Sequence, residues 1–156
     1  MLKRIEKNLL LLGWRSAWPE AADVRTVTEG ARELRGAFPD GFGVVSVLPR
    51  TAPPKIQLLA TNALALALGR GAESKCLCCC HLFLPDSVES ALARRVLSST
   101  VLRRDQRHVV TTNEVTTSLA LHDRMRKGHV DWSEEALHEV VRSFVRQLSF
   151  GAASAA

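Results

Sequence analysis

The sequence predicts an α/β domain: a four-stranded, mostly parallel or mixed sheet with flanking helices, plus a C-terminal helix. Short apolar runs rich in Leu, Val and Cys alternate with longer stretches whose apolar residues recur every three or four positions. Pro, Gly, Asp or Asn stands at most junctions between them, where helices begin and strands stop. Strand–helix alternation demands crossover connections, and crossovers give parallel strands. At 156 residues the chain suits one domain, assigned here to residues 1–150, with 151–156 as a disordered tail of small residues.

The first strand is read at residues 7–15 (KNLLLLGWR), an apolar run suited to burial on both faces. Trp18-Pro19-Glu20 then opens a helix, with Ser16 as a nearby cap and Pro19 in the first turn. Val24, Val27, Ala31, Leu34 and Phe38 form its apolar stripe, and Pro39-Asp40-Gly41 stops it. The second strand is FGVVSVL at 42–48. Pro53-Pro54 starts a helix to about Leu68, apolar on nearly every side, closed by Gly69-Arg70-Gly71.

The third strand is KCLCCCHLFL at 75–84, ended by Pro85. Asp86 caps a helix from Val88 to about Arg104, with Glu89 three residues on completing a capping box. The fourth strand is RHVVTT at 107–112. Asn113 caps a helix over 114–127, stopped by Gly128. Asp131-Trp132-Ser133-Glu134 opens the last helix, whose Leu137, Val140, Val141, Phe144, Val145 and Leu148 share one side.

Lys3, Arg4 and Lys7 before Leu9-Leu10-Leu11-Leu12 imitate a signal peptide, but Arg15 ends the apolar run too soon. No run reaches the roughly 20 apolar residues of a membrane span. Four cysteines crowd into five residues, at 76, 78, 79 and 80, where a disulfide framework would spread them out. A reducing, cytoplasmic location is therefore expected, with no membrane association. The net charge of +5 is mildly basic.

The run Cys76-Leu77-Cys78-Cys79-Cys80-His81 holds five soft ligands, which suggests zinc. Alternation along a strand argues against it: Cys76, Cys78 and Cys80 are expected on one face, Cys79 and His81 on the other. Apolar core packing of the thiols is the simpler reading, with His81 as a hydrogen-bonded core residue. Neither a metal nor a cofactor is expected, and no catalytic residue is assigned. Gly41-Phe42-Gly43 and Gly69-Arg70-Gly71 do not lie between a strand and a helix, so they form no nucleotide fingerprint. The arginines at 94, 95, 103, 104 and 107 lack interleaved aromatics, which argues against nucleic acid.

In this architecture ligands meet the carboxyl ends of the strands. That rim offers Arg50, Thr51, Asp86, Ser87, Thr111, Thr112 and Asn113, with Arg94 and Arg95 on a following helix. The set could hold an anion or serve a small enzyme; its simpler role is to cap helices.

Trp14 in the first strand, the buried run 76–83, Arg94-Arg95 on the next helix, and Val109-Val110 leading to Glu114 resemble a small STAS-type domain. That is the fold of bacterial anti-sigma-factor antagonists and of poorly characterised bacterial relatives; the match spans residues 7–127. The resemblance implies a non-enzymatic regulatory or scaffolding domain that binds another protein. In phosphorylated members a Ser or Thr opens the helix after a central strand; the matching loop is Pro49-Arg50-Thr51-Ala52. The family's Asp-Ser-Ser-Gly motif is absent there, and Asp86-Ser87 copies half of it one strand later. Helices 53–69 and 133–149 are the surfaces expected for homodimer formation. A small enzyme or anion-binding protein using the strand ends is the competing expectation.

Overall fold

The computed structural model describes residues 1–14, 20–48, 75–84, 94 and 106–153. Five strands form one mixed sheet: β1 (Leu2–Glu6), β2 (Leu9–Gly13), β3 (Phe42–Leu48), β4 (Cys76–Phe83) and β5 (His108–Thr111). They lie side by side in chain order; β1 pairs antiparallel with β2, and the other neighbours are parallel. Three helices are described: α1 (Ala21–Ala37), α2 (Glu114–Lys127) and α3 (Glu134–Ala153). The helices expected at 53–69 and 88–104 lie outside the described residues, apart from Arg94, which is helical.

The sheet thus has one strand more than expected. The strand expected at 7–15 is β2 and begins at Leu9, and Lys7-Asn8 form a tight turn back to β1, with Lys7 at φ 49°. β1 is an edge strand carrying Lys3, Arg4 and Glu6, charges that discourage pairing with another chain. Its alternation follows the pleat. Leu2 packs on the α2–α3 side, while Ile5 packs on the α1 side and Lys3 reaches Glu33 of α1 at 3.8 Å.

The sheet is buried on both faces, as its parallel strands demand. Leu10, Leu12, Trp14, Val44, Leu48, Cys79 and Phe83 meet Val27 and Leu34 of α1. Leu9, Leu11, Val45, Val47, Cys78, Cys80 and Leu82 meet α2 and α3 through Leu121, Met125, Leu137, Val141 and Phe144. Leu9 to Leu12 are at most 1% exposed, each contributing about 1.5–3 kcal/mol through burial. The apolar side of α3, expected as a surface for self-association, packs into this core. α3 also continues to Ala153, carrying residues expected in a disordered tail.

Helix α1 begins at Ala21, with Glu20 as its cap; Ser16 and Pro19 lie outside the described residues. Asp23 accepts from the Glu20 backbone N–H and from Trp14 Nε1, both at 3.0 Å, tying the helix start to the end of β2.

A bulge alters β4. Phe42 faces Cys76 but Gly43 faces Cys78, so Leu77 is an extra residue. It moves Cys76 to the α1 face with Cys79, correcting the strict alternation expected from sequence. Leu77 fills the space left by two glycines. A Cβ on Gly128 would lie 2.5 Å from Leu77 Cδ1, and one on Gly41, at φ 122°, would lie 2.9 Å from the Lys75 carbonyl.

Candidate functional site

The strand-end rim is described only at β5. Arg50, Thr51, Asp86, Ser87 and Arg95 lie outside the described residues, and Arg94 is half-buried. Asn113 caps α2 as expected: its Oδ1 accepts from Thr116 N at 2.8 Å. Thr117 Oγ1 donates to the Asn113 carbonyl at 2.8 Å, so in the 2.7 Å contact with Thr111 the Thr111 hydroxyl is the donor. Thr111 and Asn113 thus hold the helix start, and Thr112 is half-buried between them. Just beyond, Val115 and Leu119 stand one turn apart on the outer face of α2, 49% and 43% exposed.

The second site lies inside. On the α1 face, β4 and β5 pair with Cys79 opposite His108 and His81 opposite Val110. Partners in a parallel ladder share a face, and so do residues two apart. The register therefore gathers Cys79, His81 and His108. All three are buried, and one donor atom from each lies within 4.8 Å of the others. His81 Nε2 is 3.7 Å from Cys79 Sγ and 3.0 Å from His108 Nδ1. The two rings are within 7° of parallel, with centroids 5.2 Å apart. Because the nitrogens are far closer than the centroids, the rings meet edge to edge through an N–H···N bond.

Burial, and then the neighbouring His108, lowers the pKa of His81 to about 3, so its ring is neutral at ordinary pH. Its Nδ1 has no hydrogen-bond partner among the described residues. A buried polar group left unpaired costs about 1–3 kcal/mol. A leucine at this position would carry no such cost.

The opposite face holds a separate thiol pair. Cys78 and Cys80 Sγ are 3.5 Å apart, and Cys80 Sγ also lies 3.9 Å from the Thr117 carbonyl. The hydrogen bond with Cys78, followed by burial, pushes the Cys80 thiol well above its ordinary range. It stays protonated at neutral pH and is a weak nucleophile.

The expectation of no metal rested on dividing the ligands of a single strand between two faces and on the lack of a cysteine elsewhere to complete the set. It did not bring in His108, which the neighbouring strand places beside Cys79 and His81. A cue existed in the sequence, since HVVT is a strand that opens on histidine. Its register against β4 is set by packing across the sheet. Comparison with protein-family models, with curated proteins and with solved structures finds no match to this chain.

Proposed function

We propose that this chain is a non-enzymatic regulatory or scaffolding domain of STAS-like type that binds another protein through the outer face of α2. The observation that carries this reading is the exposed pair Val115 and Leu119, beside the strand ends. Exposed apolar side chains set next to one another mark contact surfaces more than isolated ones do. The capping by Asn113 and the Thr111–Thr117 hydrogen bond give that face a fixed start. Arg126, farther along α2, is exposed as well, so the complementary partner is apolar with an acidic margin. The parallel pairing of β2 through β5, with α1 joining β2 to β3, supports the STAS-like part of the reading. An anion-binding or enzymatic rim has less support, because Thr111 and Asn113 are engaged in holding α2.

The test compares tagged wild-type protein with Leu119→Glu in the native host, measuring the mass of the intact complex. Wild-type protein is expected to carry one defined partner that Leu119→Glu loses. The stability of the variant should stay within about 0.5 kcal/mol, as for other surface substitutions. An identical complex on Leu119→Glu, or no complex with either protein, refutes this surface.

A further inference from the structure

We propose that Cys79, His81 and His108 form a buried binding site for a single thiophilic monovalent cation, Cu+, held by one thiolate and two imidazole nitrogens. This rests on the interior of the sheet and is independent of the α2 surface.

The donor set comes first. One sulfur and two nitrogens, on two adjacent strands and one face, lie within 4.8 Å of one another. Thiolate selects soft ions, and imidazole is compatible with them. Among the described residues no carboxylate belongs to the group, which disfavours Mg2+ or Ca2+, both of which seek oxygen.

The spacing comes second. With metal–sulfur about 2.3 Å and metal–nitrogen about 2.0 Å, a trigonal site has S···N edges of about 3.7 Å and an N···N edge of about 3.5 Å. The observed separations are 3.7 Å from Cys79 Sγ to His81 Nε2 and 3.0 Å from His81 Nε2 to His108 Nδ1. The Cys79–His81 edge already matches, and the Cys79–His108 edge lies within 4.8 Å. The two rings must open and tilt, and His108 must settle against the sulfur, exchanging the N–H···N bond for a shared ion.

Charge balance selects the ion. The site is buried on every side, where an uncompensated charge is strongly disfavoured. Cu+ replacing the thiol proton of Cys79 leaves the group neutral. Zn2+ would leave one positive charge in the core, and it favours a fourth ligand. In the exchange one Cu+ enters and one thiol proton leaves. The proton between the rings moves to the far nitrogen of its own imidazole, freeing both inner lone pairs. No oxidant or reductant is required.

The experiment is an anaerobic titration of the full chain with Cu+ against a chromophoric competitor, with proton release followed in weak buffer. X-ray absorption on the loaded protein then counts ligands. The expected result is one Cu+ and one released proton per chain, with one sulfur at about 2.3 Å and two nitrogens at about 2.0 Å. Cys79→Ser should weaken binding by at least the roughly 100-fold that loss of an outer-shell partner can cost. Cys78→Ser, on the opposite face, should leave binding unchanged. The proposal is overturned by absence of a stoichiometric ion, by all-sulfur coordination, by undiminished binding to Cys79→Ser, or by retention of Zn2+ in preference to Cu+. Should Cys79→Ser fail to fold, the ligand count on wild-type protein decides alone.

Discussion

Asn8 shows how much a single buried polar side chain can organise. Its Oδ1 accepts from Trp132 Nε1 at 2.6 Å, its Nδ2 donates to the Gly41 carbonyl at 3.0 Å, and its own carbonyl accepts from Gly43 N at 3.0 Å. Three parts of the chain meet there: the β1–β2 turn, the approach to β3, and the link between α2 and α3. Lys7 adds to the joint by placing its ammonium 4.8 Å from the centroid of the Trp132 ring. Asn8→Ala would strand a buried indole N–H and a carbonyl, each costing about 1–3 kcal/mol. Urea unfolding should therefore show a loss of about 2–4 kcal/mol. Asn8→Asp should recover only part of it, since its second oxygen would face the Gly41 carbonyl where a donor is needed. None of this was legible in the sequence, because the partners lie 33 and 124 residues away. Asn113, whose cap bond spans three residues, was legible for the opposite reason.

The same division between local and distant causes runs through the elements. Helix α2 was readable from its cap, its basic last turn and its stop near Gly128. Yet the stop works differently from a glycine in the left-handed region. Gly128 sits at φ −86°, and His129 takes the left-handed position at φ 60°. The His129 N–H donates to the Arg126 carbonyl and the Val130 N–H to the Met125 carbonyl, both at 3.0 Å, the pair of bonds that defines a Schellman ending. The glycine is instead required by Leu77, which occupies the space a Cβ would take. His129→Gly should then relieve the left-handed penalty of an exposed residue, offset in part by added freedom of the unfolded chain. The expected gain is up to about 1 kcal/mol, read as a rise of a few degrees in Tm. No change in Tm would mean that the histidine side chain contributes as much as its backbone conformation costs. β1 escaped the sequence reading because its charged residues broke the apolar run, though charges are what an edge strand carries. The bulge at Leu77 escaped because an inserted residue is defined by the partner strand, not by its own sequence.

At the scale of the molecule, alternation of apolar runs with amphipathic stretches was enough to predict a layered sheet. The composition of its interior decides how that sheet responds to solvent conditions. Both faces are buried, and one encloses a neutral histidine. In metal-free protein, held so with a chelator, the sign of the pH effect follows. The unfolded chain takes up a proton at His81 below its ordinary pKa of 6.5, whereas the folded chain refuses it until about pH 3. Stability from this group is fully present above 6.5 and is lost as pH falls toward 3, by at most about 1.4 kcal/mol per pH unit. Asp123, held below the ordinary carboxylate range chiefly by its hydrogen bond to Lys127, loses its contribution in the same direction. It is exposed and its carboxyl is held below the ordinary carboxylate range, so the interval from pH 6.5 to about 4.5 separates the His81 effect from that of Asp123. Urea midpoints measured across that interval should fall steadily for wild-type protein and much less for His81→Gln. Equal slopes would mean that His81 accepts its proton inside the fold, which requires water or an acid within reach of the ring. The face between α1 and the sheet would then be wet, and the charge balance that selects a monovalent ion there would no longer hold.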